Sequence, residues 1–187
     1  IDNVFEHTLK VIEEYHKILE ADDVGDEERA KALTAAFFHD LGKLDPRIIG
    51  VKETIDKVVH NTYHGHEDES AKVAEAILAG LKASNEDIQY ISSIVSNHML
   101  PHNEMNDKQI RKLINKLGKD LLRRVVQHAK ADANSKPGAD LAHYDSLLDR
   151  VQTIQPSGNM NSGNMKPVLS GQVLMQMFPN LDPKGGF

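Results

Sequence analysis

The stretch that decides the fold is Ala35-Ala36-Phe37-Phe38-His39-Asp40-Leu41-Gly42-Lys43. An apolar helical run ends there in an adjacent imidazole and carboxylate, and Gly42 is expected to take the left-handed conformation that stops a helix. Two polar groups at the end of an apolar run need a compensating partner if they are buried, and a divalent cation supplies one. A partly buried His followed by a helix-ending Asp would give the same dipeptide, so the pair alone leaves both readings open.

Outward from this run, the spacing of apolar residues predicts helices on either side. Val4, Phe5, Thr8, Val11, Ile12, Tyr15 and Leu19 recur at helical spacing, with Asp2 as the expected cap, giving a first helix over about 3–20. After a polar turn at 21–25, Asp26 is expected to cap the second helix, whose buried stripe reads Ala30, Leu33, Ala36, Phe37 and Leu41. Residues 44–67 lack sustained periodicity and carry Pro46, Gly50 and Gly65 with His60, His64 and His66, so they read as a loop with one helical turn. Further helices are expected from Asp68 to Gly80, from Ser84 or Asn85 to about His98, from Asn106 or Asp107 past Leu117, through Leu121 to Asp132, and from about Asp140 to Ile154. No alternating strand pattern is evident, so the fold class is all-α, a compact multi-helix bundle.

Composition sets the remaining bounds. The 187 residues suit one domain, and 40% hydrophobic with 27% charged residues describe a globular chain. The absence of Cys removes thiolate ligands and cysteine nucleophiles, and no apolar run approaches the roughly 20 residues a bilayer requires. A cytoplasmic chain that does not meet membranes is expected. The net charge of -6 argues against broad clamping of nucleic acid. Ser157-Gly158-Asn159-Met160 recurs as Ser162-Gly163-Asn164-Met165, which marks 155–166 as a linker or loop between a domain at 1–154 and a tail at 167–187 with one short helix. The start at Ile1 and the close at Phe187 suggest a piece of a longer protein.

His7 on the first helix, His39 and Asp40 ending the second, His66 before the third, His98 closing the fourth and Asp132 closing the sixth can converge on one centre. Imidazole with carboxylate and no sulfur suits a divalent ion such as manganese, iron, cobalt, nickel or zinc. Lys43, just past the helix end, can neutralise phosphoryl charge or act as a plain cation at a helix C-terminus. His128, one turn before Asp132, reads either as a support for a ligand or, the preferred reading, as an ordinary surface residue. Lys108, Lys112, Lys116, Lys119 and Arg123 read as a solvated helix face, or else as a basic track for an RNA end.

The ordered set, with His7 in His-Thr-Leu-Lys-Val, His39-Asp40 in Phe-His-Asp-Leu-Gly-Lys and Asp132 in Ala-Lys-Ala-Asp-Ala, resembles the HD phosphohydrolase superfamily. The context is most similar to the HD domain of bacterial CCA-adding tRNA nucleotidyltransferases, through His64-Gly65-His66, Ser96-Asn97-His98-Met99-Leu100-Pro101 and Pro167-Val168-Leu169-Ser170-Gly171-Gln172-Val173-Leu174-Met175. No paired-Asp nucleotidyl-transfer motif is present, so only the hydrolytic half of that resemblance carries over. It implies a metal-dependent phosphohydrolase acting on 2′,3′-cyclic phosphates and 2′-phosphates of nucleotides or RNA ends, tRNA among them. It implies His7, His39, Asp40 and Asp132 as ligands of one metal, and His66 and His98 as ligands of a second or as substrate contacts; beside these, Asp40 and Lys43 are the catalytic candidates, His102, set on a rim loop by Pro101, is a candidate phosphate contact, and His64 either orients phosphate or faces solvent. The cofactor implied is a divalent Mn, Ni, Co, Mg, Fe or Zn. The alternatives are an HD-type 5′-nucleotidase, a guanosine-polyphosphate or cyclic-nucleotide hydrolase, or a non-catalytic tRNA-binding module.

Overall fold

Helix α1 (Val4–Ala21) begins where the Asn3 side chain accepts the Phe5 N–H at 3.1 Å. The cap expected at Asp2 lies outside the residues described by the computed structural model, which are 3–53, 57 and 59–156. The chain continues through α2 (Asp26–Phe38), β1 (Ile49–Glu53), β2 (Val59–Tyr63), α3 (His66–Gly80), α4 (Asn85–Asn97), α5 (Asp107–Leu117), α6 (Lys119–Asn134) and α7 (Ala142–Thr153). Short 3₁₀ turns occupy Leu41–Leu44, Pro46–Ile48 and Leu100–His102. Two caps are sequence-local: Ser84 Oγ accepts from Asp87 N ahead of α4, and Asn106 with Gln109 forms a reciprocal capping box ahead of α5.

The architecture is the expected helical bundle, with one correction. Residues 49–63 hold an antiparallel hairpin, pairing Ile49 with Tyr63, Val51 with Asn61 and Glu53 with Val59. Its strands are only five residues each, and the apolar alternation is limited to Ile49/Val51 and Val59/Tyr63. The tail and nearly all of the linker expected beyond α7 lie outside the described residues.

Three apolar clusters make the core. One joins α2, α3 and α4 through Ala35, Phe38, Ala74, Leu78, Ile91 and Ile94. A second joins α1 to α2 through Val11, Tyr15, Leu19, Ala32 and Ala36. The third joins α5, α6 and α7 through Ile110, Ile114, Leu122, Val126, Leu147 and Val151. Helix α6 enters all three, giving Val125 to the first, Ala131 to the second and Leu122 with Val126 to the third. Tyr15 Oη also donates to the Arg124 carbonyl of α6 at 2.9 Å, tying α1 to it.

Helix α2 lies between the first two clusters, which explains why its predicted stripe is wrong in detail. The buried residues are Ala32, Ala35, Ala36 and Phe38, whereas Phe37 is 45% exposed. A helix buried on two sides has no single apolar face for a 3.6-residue period to mark. Asp26 is the first residue of α2 rather than its side-chain cap, and α3 starts at His66, two residues earlier than expected.

Candidate metal centre

Helix ends meet where the clusters adjoin, and they deliver the polar residues. His39 is the C-cap of α2 and Asp40 follows it; His98 is the C-cap of α4; His66 opens α3; Asp132 lies near the end of α6. His39 Nδ1 bonds the Ala36 carbonyl at 2.7 Å and His98 Nδ1 bonds the Val95 carbonyl at 2.7 Å, so each imidazole folds back on a carbonyl in the last turn of its own helix. His66 Nδ1 bonds the Tyr63 carbonyl at 2.8 Å. A carbonyl can only accept, so in all three rings Nδ1 carries the proton. His7 Nδ1 lies 3.2 Å from Ser135 Oγ, whose own hydrogen goes to the Asp132 carbonyl, so His7 follows the same pattern. With Nδ1 so occupied, Nε2 is the atom each ring turns toward the carboxylates, and in the neutral form of the ring it is the lone pair that a metal requires.

Those four nitrogens face two carboxylates. Asp40 Oδ2 is 3.5 Å from His7 Nε2, 3.3 Å from His39 Nε2 and 2.7 Å from Lys43 Nζ, while Oδ1 is 3.3 Å from His66 Nε2 and 4.0 Å from His98 Nε2. Asp132 Oδ1 is 3.0 Å from His7 Nε2 and 2.9 Å from Lys136 Nζ, and Oδ2 is 3.1 Å from His102 Nε2. Two triads result, His7–His39–Asp132 and Asp40–His66–His98, each with donor atoms within 4.8 Å of one another. Donors about 2.0–2.2 Å from a shared tetrahedral cation stand roughly 3.3–3.6 Å apart, so the spacings fit.

The donor set calls for a cation. His66 Nε2 and His98 Nε2 lie 3.2 Å apart with both lone pairs converging beside a carboxylate oxygen. The buried His7 Nε2 and His39 Nε2 make no hydrogen bond despite their closeness to carboxylates, and a cation would give both a partner. Burial pushes the Asp40 carboxyl up, but His39, His66 and Lys43 outweigh it and hold the group well below the usual carboxylate range. Asp132 shows the same balance, with His102, His7 and Lys136 overcoming burial. His98 is pushed down to about 3 by burial, with His39 adding to the effect, so its ring stays neutral. Ionised carboxylates beside imidazole nitrogens, without sulfur, match a divalent ion.

All six residues expected as ligands are brought together, and Lys43 and His102 reach them. His102 sits on the Leu100–His102 turn with Nδ1 2.7 Å from the Tyr144 hydroxyl. His64 is exposed in the turn before α3 and stands outside the triads. Two expectations are corrected. His128 is fully buried, with neither ring nitrogen hydrogen-bonded, and packs against Tyr15, His39 and His98 at ring separations of 5.4, 5.1 and 5.7 Å. Its position four residues before Asp132 was the signal: on a helix that places it on the same buried face.

Gly42 does not take a left-handed conformation, since the positive-φ glycines among the described residues are Gly65, Gly118 and Gly138. It is required by contact: a Cβ there would lie 2.3 Å from the His66 carbonyl oxygen and 2.8 Å from Ser70 N. Its N–H donates to Ser70 Oγ at 2.8 Å, pinning the start of α3 to the turn after Asp40. Ser135, Lys136 and Tyr144 also touch the centre; Lys136 could have been found four residues after Asp132, whereas nothing local marks Tyr144. Of the basic series, Arg123 is committed to Asp22 through two 2.8 Å hydrogen bonds and Lys119 to the Gln152 carbonyl at 2.8 Å. Lys108, Lys112 and Lys116 are exposed on α5.

A helical bundle enclosing two abutting His/Asp triads, with lysines at its carboxylates, defines a divalent-metal centre suited to phosphoryl chemistry. A family model described as HD domain matches residues 4–148, and the chain belongs to that family of metal-dependent phosphohydrolases. It is an enzyme that uses a divalent metal. No curated protein matches the chain. Among the described residues no helix is long and apolar enough to cross a membrane.

Proposed function

We propose that this chain hydrolyses 2′,3′-cyclic phosphates and 2′-phosphates of nucleotides or RNA ends, tRNA ends among them. The observation that carries the chemistry is the Asp40 carboxylate, whose Oδ1 faces His66 of its own triad while Oδ2 faces His39 and His7 of the other. The substrate class rests on the resemblance of the motifs around His66, His98 and Pro167 to the HD domains of CCA-adding enzymes.

His7, His39 and Asp132 would hold one cation and Asp40, His66 and His98 a second; for a single cation the set is His7, His39, Asp40 and Asp132. A bound divalent ion supplies Lewis acidity toward a phosphoryl oxygen and lowers the pKa of water. Asp40 accepts a hydrogen bond from the attacking water and orients it. Lys43 Nζ, 2.7 Å from Asp40 Oδ2, keeps a positive charge where negative charge accumulates on the phosphoryl oxygens. His102, fixed at Nδ1 by Tyr144, presents Nε2 beside Asp132 and is placed to hydrogen-bond a phosphoryl oxygen. The exposed His64 is limited to an outer contact with the approaching substrate.

The test is hydrolysis of 2′,3′-cyclic AMP, 2′-AMP, 3′-AMP, 5′-nucleotides and guanosine polyphosphates across a panel of divalent metals. Asp40→Ala should lose all turnover while its circular dichroism spectrum stays that of the folded helical domain. Release from the cyclic and 2′ substrates supports the proposal. Turnover confined to 5′-nucleotides or guanosine polyphosphates overturns it in favour of those branches, and silence with every metal favours a tRNA-binding module.

A further inference from the structure

The hairpin next to the centre is not explained by holding metal. In its ladder Ile49 faces Tyr63, Val51 faces Asn61 and Glu53 faces Val59, so these six side chains share one face. Val51 is 69% exposed, Val59 61% and Ile49 43%. On the opposite face the Thr62 side chain fills the space beside Gly50, where a Cβ would come within 2.6 Å of Thr62 Oγ1. A two-stranded hairpin has little stability of its own, and an apolar face left open on one is a feature to be accounted for.

The site end of that face is aromatic. The Tyr63 ring centroid lies 6.0 Å from Lys43 Nζ, which itself lies 2.7 Å from Asp40 Oδ2. One lysine head therefore separates the ring from the carboxylate at the middle of the centre. The Asn61 amide lies 3.4 Å from the Tyr63 hydroxyl, which sets a group that both donates and accepts at the outer edge of the ring. Going outward from the metal side, the order is carboxylate, ammonium, half-buried aromatic ring, amide, and then open aliphatic surface. Phosphate, sugar and base follow in the same order along a nucleotide.

We infer that Tyr63 is the platform on which the base of a nucleotide substrate stacks, with Asn61 at its edge and Val51 beside it, so that the hairpin selects nucleosidic phosphates over other phosphate esters. This rests on the reading of the centre as a phosphohydrolase site. Stacking on an aromatic side chain tolerates every base, so the platform distinguishes a nucleoside from a bare sugar rather than one base from another. The backbone couples the two functions, since the carbonyl of Tyr63 holds His66 Nδ1 at 2.8 Å. A shift of the platform is thereby transmitted to an imidazole of the Asp40–His66–His98 triad.

Two measurements on the metal-loaded chain test this. The first compares kcat/KM for 2′,3′-cyclic AMP with that for methyl ribofuranoside 2′,3′-cyclic phosphate, which lacks the base. In Tyr63→Leu the ratio of the two should fall about fivefold or more, through KM, and Tyr63→Phe should restore it. An unchanged ratio overturns the inference. The second does not need turnover. The chain has no Trp, so Tyr63→Trp introduces a single indole; AMP and GMP should quench its fluorescence with saturation, and ribose 5-phosphate should not. Quenching without turnover of any cyclic phosphate leaves the platform standing and overturns the substrate reading alone; equal response to nucleotide and sugar phosphate overturns the platform.

Discussion

Four imidazoles in the centre are each fixed at Nδ1 by a neighbouring oxygen, whereas the hairpin two residues away leaves Ile49, Val51 and Val59 open to solvent. In the first region the four imidazoles each have a supporting oxygen behind them, two of these being carbonyls in the last turns of α2 and α4. In the second, the ladder hydrogen bonds set the backbone and little constrains the side chains. The contrast separates positioning from selection. The triads must hold donors to within a fraction of an ångström, and a substrate-facing surface only needs to present a shape.

The sharpest way to break the comparison is to remove the metal. Chelation should lower the melting temperature by about 8–16 °C, corresponding to about 4 kcal/mol at free metal a thousand times its Kd. Calorimetry with and without chelator checks this, and an unchanged transition would make the buried donor set indifferent to a cation. Gly42→Ala comes next, because its Cβ overlaps the His66 carbonyl and Ser70 N. It should cost about 1–3 kcal/mol and reduce bound metal by displacing His66, as read by melting and metal content together. Tyr144→Phe removes the hydroxyl at His102 Nδ1 and should reduce turnover roughly tenfold with the fold intact, which steady-state kinetics would show. The smallest effect belongs to the hairpin: Val51→Thr should change stability by less than about 0.5 kcal/mol in a denaturant titration. A large loss there would mean that the open face is structural after all.

How much of this was legible in the sequence depended on how local each signal was. The seven helices follow from apolar periodicity and from caps such as Ser84 and Asn106, which act within three residues. His7, His39, Asp40, His66, His98 and Asp132 were legible as candidates because the helices they lie on or end are themselves predictable. Tyr144 was not, since its contact with His102 spans 42 residues and leaves no pattern in either neighbourhood. The reason for Gly42 was hidden for a similar cause: the atoms that forbid a side chain belong to His66 and Ser70, on another helix. His128 was misjudged because a polar residue type outweighed the helical spacing that places it on the Asp132 face. The hairpin was missed because ten residues with two apolar alternations look like a loop.

Helix α6, which gives residues to all three core clusters, also carries Asp132, while His66 follows directly on the hairpin. A segment shared by every cluster opens only when the whole domain opens, so its amide hydrogens should exchange at the slowest, global rate. The turn before α3 has no such anchorage and should exchange far sooner. The two triads should therefore differ in exchange protection, with the amides around His66 exchanging before those around Asp132.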